Sequence, residues 1–250
     1  KPIKLFILAG HRNMEGERAF NSELSQIAGG EALLEPQSKI AYRYSLGGGV
    51  KTSNDWEALR PAGYYSTFGP EVSFGSTLIQ SMESQIAIAK FTHSGSQIID
   101  WTPEGSMAKT RHLYPAFIEF IRQSKQSFTE KGYDVQIAGI FYHLGENDMS
   151  FYPYRKESAQ RIQTIVQQSR KDLEISDLSW FVSQQKPTDH ESVNQVDVVS
   201  MVAEVADADP HIVHIKAFDL PPQKKRLVIT TEGIVRLGEL LANQFIKSQQ

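Results

Sequence analysis

The 250-residue chain carries 26 basic and 29 acidic side chains, a formal net charge of −3, and no cysteine. That balance excludes a global field attracting nucleic acid or a membrane surface, and the missing thiols exclude disulfides, thiolate metal sites and cysteine nucleophiles. With 40% hydrophobic and 10% aromatic residues the sequence can bury a substantial core unaided, and no segment is long and apolar enough to span a bilayer.

Residues 3–10 open the chain as a short run that is apolar on both faces, the pattern of a buried central strand. Lys1 stands directly before it with no initiating methionine. Removal of an upstream segment is therefore expected, which slightly favours a secreted or periplasmic location over a cytoplasmic one. Residues 19–68 then break the pattern. They hold Gly29-Gly30, Gly47-Gly48-Gly49, Pro61 and several tyrosines, and read as an ordered insertion of little regular structure lying over the first strand's loop. A loop that long in a compact domain is more often a lid or binding wall than idle. Tyr42, Tyr44, Trp56, Tyr64 and Tyr65 form either a sugar-stacking wall there or the insertion's own miniature core.

Beyond the insertion, strands are predicted at 86–93, 135–143, 178–184 and 212–220. Helices are predicted at 71–83, 113–131, 154–173, 192–206 and 231–247, the last with Thr230 and Thr231 supplying capping hydroxyls and Glu232 a first-turn acid. Strand–helix alternation of this kind implies an α/β protein: one three-layer α/β/α domain over residues 1–250. Its five-stranded parallel sheet is doubly wound in flavodoxin-like order, with right-handed crossovers. Ligands then belong at the carboxyl ends of the strands, near the point where strand order reverses. That rule selects the loops after Gly10, His93, His143, Gln184 and Leu220.

The first of these loops reads Leu8-Ala9-Gly10-His11-Arg12-Asn13-Met14. It resembles the Gly-Gln-Ser-Asn-Met block of the sialate O-acetylesterase and acetylxylan esterase group, carbohydrate esterase family 6, whose fold is the SGNH-hydrolase fold. Four further stretches match in order. Phe68-Gly69-Pro70-Glu71 is similar to that group's Gly-Pro-Glu helix start, and Ser94-Gly95-Ser96 followed by Trp101 to its Gly-Gly-Thr block. His143-Leu144-Gly145-Glu146-Asn147-Asp148 resembles the His-Gln-Gly-Glu-x-Asp block, and Thr230-Thr231-Glu232-Gly233 with Leu237-Gly238 the terminal block. The resemblance implies an ester hydrolase in which the first block's serine attacks an acetyl group. A histidine of the final loop takes the serine's proton, oriented by an acid three residues before it, and donors from the first three blocks form the oxyanion hole.

At the positions carrying that chemistry the sequence departs from the family. Arg12 stands at the nucleophile, Val228 at the histidine and Lys225 at the acid, while Leu144 replaces the third block's glutamine. An arginine stays protonated and cannot be acylated. Loss of a nucleophile or its base alone costs on the order of 10⁶-fold in turnover, against about 10²–10³-fold for an oxyanion donor. No serine-esterase activity by the family route is therefore expected. The pocket and oxyanion frame persists as Gly10, His11, Asn13, Ser94, Gly95, His143, Gly145, Glu146 and Asp148.

These observations lead to a catalytically degenerate protein that binds a carbohydrate or an anionic sugar, with Arg12 as a bidentate anion grip. Two rival readings are an active carbohydrate acetylesterase using substituted residues, and a structural or interaction domain. Arg12 has a bland alternative too, as a structural partner of Glu146 or Asp148, and His143 as a cap of the local backbone. Ser94 and Ser96 are not expected to act as nucleophiles. Adjacent strand residues point to opposite faces, so His93 and Ser94 should not meet, and no acid–histidine relay stands at a fitting place. His190, His211, His214 and His112 lack metal-ligand spacing, so no metal and no cofactor are expected. Lys224-Lys225-Arg226 reads as a solvated loop rather than a nucleic-acid patch.

Overall fold

The computed structural model describes residues 1–188, 195–221 and 227–250. The predicted first turn of the fourth helix at 192–194, His190, and the run Lys224-Lys225-Arg226 lie outside those residues. Among the described residues, eight strands follow one another: β1 (Pro2–Gly10), β2 (Gln37–Leu46), β3 (Lys51–Thr52), β4 (Glu57–Leu59), β5 (Gln85–Thr92), β6 (Asp134–His143), β7 (Trp180–Gln184) and β8 (Ile212–Lys216). The helices are α1 (Arg12–Glu15), α2 (Glu71–Leu78), α3 (Tyr114–Thr129), α4 (Glu146–Ser150), α5 (Tyr152–Asp172), α6 (Val198–Asp207) and α7 (Thr231–Ser248).

The five expected strands run side by side as β5-β1-β6-β7-β8, all parallel. This is the flavodoxin-like order. β1 lies at the centre, flanked by β5 on one side and β6 on the other, so strand order reverses at its carboxyl end. β1 alternates by strand geometry: Ile3, Leu5, Ile7 and Ala9 pack in the core beneath α3, α5 and α6, whereas Phe6 and Leu8 pack in the opposite core with α2 and α7. Two apolar faces covered by helices account for the uninterrupted hydrophobic run in the sequence.

The insertion corrects one expectation. It is not mostly irregular, because β2 pairs parallel to β5 from Ile40↔Ile86 to Ser45↔Phe91 and extends the sheet, with β3 and β4 antiparallel to it. Ile40, Tyr42, Tyr44 and Leu46 are all buried. Their spacing of two is the period of a strand with one covered face, and the glycines and tyrosines around it hid that signal. Short 3₁₀ turns at Asn21–Gln26 and Glu31–Leu34 complete the segment.

Several boundaries shift for local reasons. The first predicted helix, 71–83, ends at Leu78, five residues early. α5 begins at Tyr152, because Pro153 suits a first helical turn. β8 stops at Lys216, leaving 217–220 as loop. Thr230 and Thr231 do not cap α7. The Thr231 hydroxyl instead accepts from Phe20 N (3.0 Å) and donates to Glu23 (2.9 Å), tying the insertion's first turn to the last helix.

Close approach of elements fixes the geometry around the first loop. Gly16 ends α1 at φ +85°, and a Cβ there would collide with the Phe68 carbonyl; only glycine combines that backbone with that contact. Gly238 lets α7 lie directly on the first turn of α2, where Ser73 and the Pro70 carbonyl leave no room for a side chain. Beneath α1, buried Lys90 pairs with Glu71 and donates to the Met14 carbonyl at 3.0 Å. The charge is thereby compensated, and the end of α1 is anchored to β5 and α2.

Candidate functional site

Every parallel strand delivers its carboxyl end to the same edge of the sheet, so the loops after β1, β5, β6 and β7 converge. α1 starts at Arg12, one residue beyond the buried His11. The Arg12 Nε lies 3.1 Å from Glu17 Oε2 and 3.7 Å from Glu146 Oε1, with the side chain one-third exposed. Arg12 is thus a paired cation, in the arrangement of the structural alternative, with Glu146 and not Asp148 as its partner from the third block. Burial raises the Glu146 carboxyl above its ordinary range, and the Arg12 charge opposes that shift.

Asn13 acts as a staple. Its Nδ2 donates to Gln185 Oε1 (2.9 Å) and to the Leu227 carbonyl (2.8 Å), and its Oδ1 accepts from Ile229 N (2.8 Å). Both amide protons are consumed, so this side chain has none left for an oxyanion. The staple also brackets Val228 between two bonded neighbours. The final loop is therefore held against the first, while the position that the resemblance assigns to the base carries an aliphatic side chain. Lys225 lies outside the described residues.

His11 reaches Ser96, a contact not expected from the sequence. Its Nδ1 is 2.7 Å from Ser96 Oγ, its Nε2 meets the Tyr142 hydroxyl, and Asp148 Oδ2 is 4.0 Å from that nitrogen. The loop after β1 folds its imidazole inward onto the edges of β5 and β6, a placement that residue spacing does not encode. The hydrogen bonds nonetheless run the wrong way for catalysis. Ser96 Oγ spends its proton on the His93 carbonyl (2.6 Å) and accepts from Trp101 Nε1 (3.1 Å), so His11 Nδ1 must donate to it. Nε2 is then the bare nitrogen and accepts from Tyr142. Burial holds the His11 pKa down at about 3 and the Tyr142 hydroxyl well above 10, which keeps both neutral. Ser96, His11 and Asp148 are each no more than 1% exposed.

His143 makes a second buried pair. Gln185 Oε1 already accepts from Asn13 and lies 3.1 Å from His143 Nε2, which is therefore the protonated nitrogen. Nδ1 then accepts from Ser183 Oγ at 2.7 Å. The polarity suits a general base, yet Ser183 is fully buried between strands. Desolvation depresses His143 to about 4. Asp148 receives Ile98 N at 3.0 Å, and burial raises its pKa well above the ordinary value. Gly10 and Gly145 serve close packing: a Cβ on Gly10 would come within 3.1 Å of the His143 carbonyl, and one on Gly145 within 2.9 Å of both Asp148 and His11. Gly95 points its carbonyl at Arg111 (2.9 Å). His93 turns Nδ1 to the carbonyl of Ser94 (2.7 Å) and not to its hydroxyl; β5 ends at Thr92, so both residues lie in the loop and strand alternation does not govern them.

Two residues that the sequence reading passed over organise the open part of the site. Glu15 accepts from Gly47 N (2.7 Å) and Ser94 N (3.1 Å), joining the ends of β2 and β5, and its burial raises its pKa. Glu17 pairs with Arg12 and accepts from Ser94 Oγ at 2.5 Å. The available signal was the charged run Glu15-Gly16-Glu17-Arg18 directly after a strand-end block. These residues line a pocket of about 620 Å³ together with Gly47, Val50, Tyr64, Tyr65 and Thr67. Of the five expected wall aromatics only Tyr64 and Tyr65 belong to it. Tyr42 and Tyr44 are core, and Trp56 packs against Phe128 with ring centroids 4.5 Å apart and planes tilted by 43°. A groove of about 670 Å³ near Ile40, Trp56 and Tyr133 lies at the opposite, amino-terminal edge of the strands, remote from this chemistry. Among the described residues no cluster of histidines and carboxylates is suited to a metal ion, and no helix is long and apolar enough to cross a membrane.

A mostly parallel sheet between two helical layers, with its polar side chains gathered where strand order reverses, defines an SGNH-type α/β hydrolase fold. The sequence profile of the carbohydrate esterase, sialic acid-specific acetylesterase family matches residues 2–247, and the chain belongs to that family. A protein from Arabidopsis thaliana superposes with a TM-score of 0.70 at 19% identity, covering 99% of each chain. A carbohydrate acetylesterase from Xanthomonas citri superposes with a TM-score of 0.65 at 15% identity over 95% of this chain, which spans about half (54%) of that protein. Both likenesses concern the fold. The sequence has no match among curated proteins.

Proposed function

We propose that this protein binds carbohydrate at the carboxyl edge of its sheet and does not turn over serine esters. The observation that carries the reading is Arg12: a guanidinium held by Glu17 and Glu146 stands where the family resemblance places the acylated hydroxyl. The two serine–histidine pairs described above are buried, so neither substitutes for the missing nucleophile. The pocket beside Arg12 remains open, which favours ligand binding over a plugged structural domain. The test is hydrolysis of p-nitrophenyl acetate and of acetylated sugars, beside calorimetric titration with oligosaccharides. The expected outcome is turnover indistinguishable from an Arg12→Ala control, with measurable saccharide binding. Turnover clearly above that control overturns the reading.

One observation favours a second reading. Ser94 Oγ donates to Glu17 within the open pocket, which is the geometry of a hydroxyl and its general base. The Arg12 cation shares the same carboxylate and weakens it as a base. If acetyl-ester turnover is found and Ser94→Ala abolishes it, the protein is an esterase of altered machinery.

A further inference from the structure

The segment that closes the pocket combines strain with exposure. Tyr65 and Ser66 sit consecutively at φ +52° and +59°, a left-handed backbone that non-glycine residues rarely adopt. The turn is over-determined by its surroundings. Gly63 N bonds the Thr67 carbonyl (2.9 Å), Thr67 N bonds the Tyr64 carbonyl (3.1 Å), Asn21 N bonds the Ser66 carbonyl (2.9 Å), and Lys51 Nζ bonds the Gly63 carbonyl (2.9 Å). Strain held this firmly marks a position at which the side chain's location is worth its cost. The side chain so displayed is a tyrosine ring that is 93% exposed, facing a pocket whose rim also holds Val50, 82% exposed. An aromatic ring left in water on a rigid loop presents a flat apolar surface, and ordering it further costs little entropy.

The lining of the pocket is largely apolar, and its charged members give it a net negative formal charge. Glu15 and Glu17 line it with Arg18, and Glu146 stands behind, so three carboxylates face two guanidinium groups. Arg12 is already committed to two of those carboxylates. A sugar acid would bring its carboxylate beside both Glu15 and Glu17, with Arg18 as the lining cation to offset it, and that balance acts against it. Hydroxyls, by contrast, find acceptors at Glu17 and donors at Arg18.

We propose that this pocket takes an uncharged pyranose ring, stacked on Tyr65 and flanked by Val50, with its hydroxyls on Glu17 and Arg18. The assignment rests on the carbohydrate-binding reading and narrows it: the ligand is neutral, not anionic, and Tyr65 is the residue that selects it.

The experiment is calorimetric titration of the wild type, Tyr65→Ala and Tyr65→Phe with cellotriose, xylotriose and N-acetylchitotriose, and with trigalacturonic acid and sialyllactose as acidic probes. Because Tyr65 is exposed, its removal should leave the thermal midpoint unchanged, and this is measured alongside. The expected result is binding of at least one neutral probe, weakened about ten-fold or more by Tyr65→Ala and retained by Tyr65→Phe, with the acidic probes weaker throughout. Tighter binding of the acidic probes, or neutral binding indifferent to Tyr65→Ala, overturns this assignment and leaves the carbohydrate-binding reading standing. Silence of the wild type towards every probe overturns the carbohydrate-binding reading itself.

Discussion

Arg12 and Asn13 are neighbours with opposite consequences. The proposed loss of esterase chemistry rests on the arginine, because a guanidinium cannot be acylated as a serine hydroxyl can. The asparagine supplies architecture, because its buried amide joins the first loop, the end of β7 and the final loop through three hydrogen bonds. Removing it leaves Ile229 N without its partner, at roughly 1–3 kcal/mol for a buried group left unsatisfied, while the Leu227 carbonyl keeps Gln185 Nε2 at 2.9 Å. Asn13→Ala is accordingly expected to lower unfolding stability by about 2 kcal/mol, read as a shift of the urea midpoint at constant slope. Arg12→Ala, whose side chain is one-third exposed, should cost under about 1 kcal/mol. A reversed order of the two would show that the ion pair, and not the staple, holds the loops together.

Among the elements, the end of α5 offers a clean measure of backbone strain. Glu174 N bonds the Lys171 carbonyl (3.2 Å) and Ile175 N the Arg170 carbonyl (3.0 Å), the paired bonds of a Schellman termination, with Glu174 itself at φ +55°. Glu174 is exposed, so Glu174→Gly removes a left-handed penalty of about 1 kcal/mol and little else; the variant should unfold at a higher temperature than the wild type. This glutamate also shows why helix ends were harder to place than helix bodies. No glycine marks the stop, and tertiary packing imposed a conformation that its residue type disfavours. β2 is the converse case. Its period-two burial was written in Ile40, Tyr42, Tyr44 and Leu46, but a parallel strand on the far side of β5 requires a crossover that short-range patterns do not reveal.

For the whole molecule, the buried imidazoles set the response to acid. His11 and His143 stay neutral when folded, with pKa values of about 3 and about 4 against 6.5 in the open chain. Below pH 6.5 the unfolded state therefore binds more protons, and the stability these groups contribute is lost as pH falls from 6.5 towards those depressed values. Glu15, Glu146 and Asp148 have raised pKa values and act in the opposite sense over the acid range. A difference measurement isolates one group. His143→Asn should lose about 2 kcal/mol less than the wild type between pH 6.5 and 4.5 by the same linkage, as measured by urea unfolding at each pH. Equal losses would mean that His143 titrates normally.

The order of five parallel strands, the edge at which the polar strand-end blocks gather, and the absence of an acylatable side chain at position 12 follow from the sequence alone. All three rest on local patterns: apolar runs of fixed period, short blocks at strand ends, and the identity of single residues. Tertiary structure alone decided that His11 turns inward to Ser96 and Tyr142, that Asn13 spends its amide on the final loop, and that Tyr65 stands in water at the pocket that Glu17 also lines. Each of these joins residues far apart in the chain, 216 positions in the case of Asn13 and Ile229. Hydrogen-bond direction and solvent exposure depend on what the folded chain brings alongside, which no stretch of sequence specifies about itself.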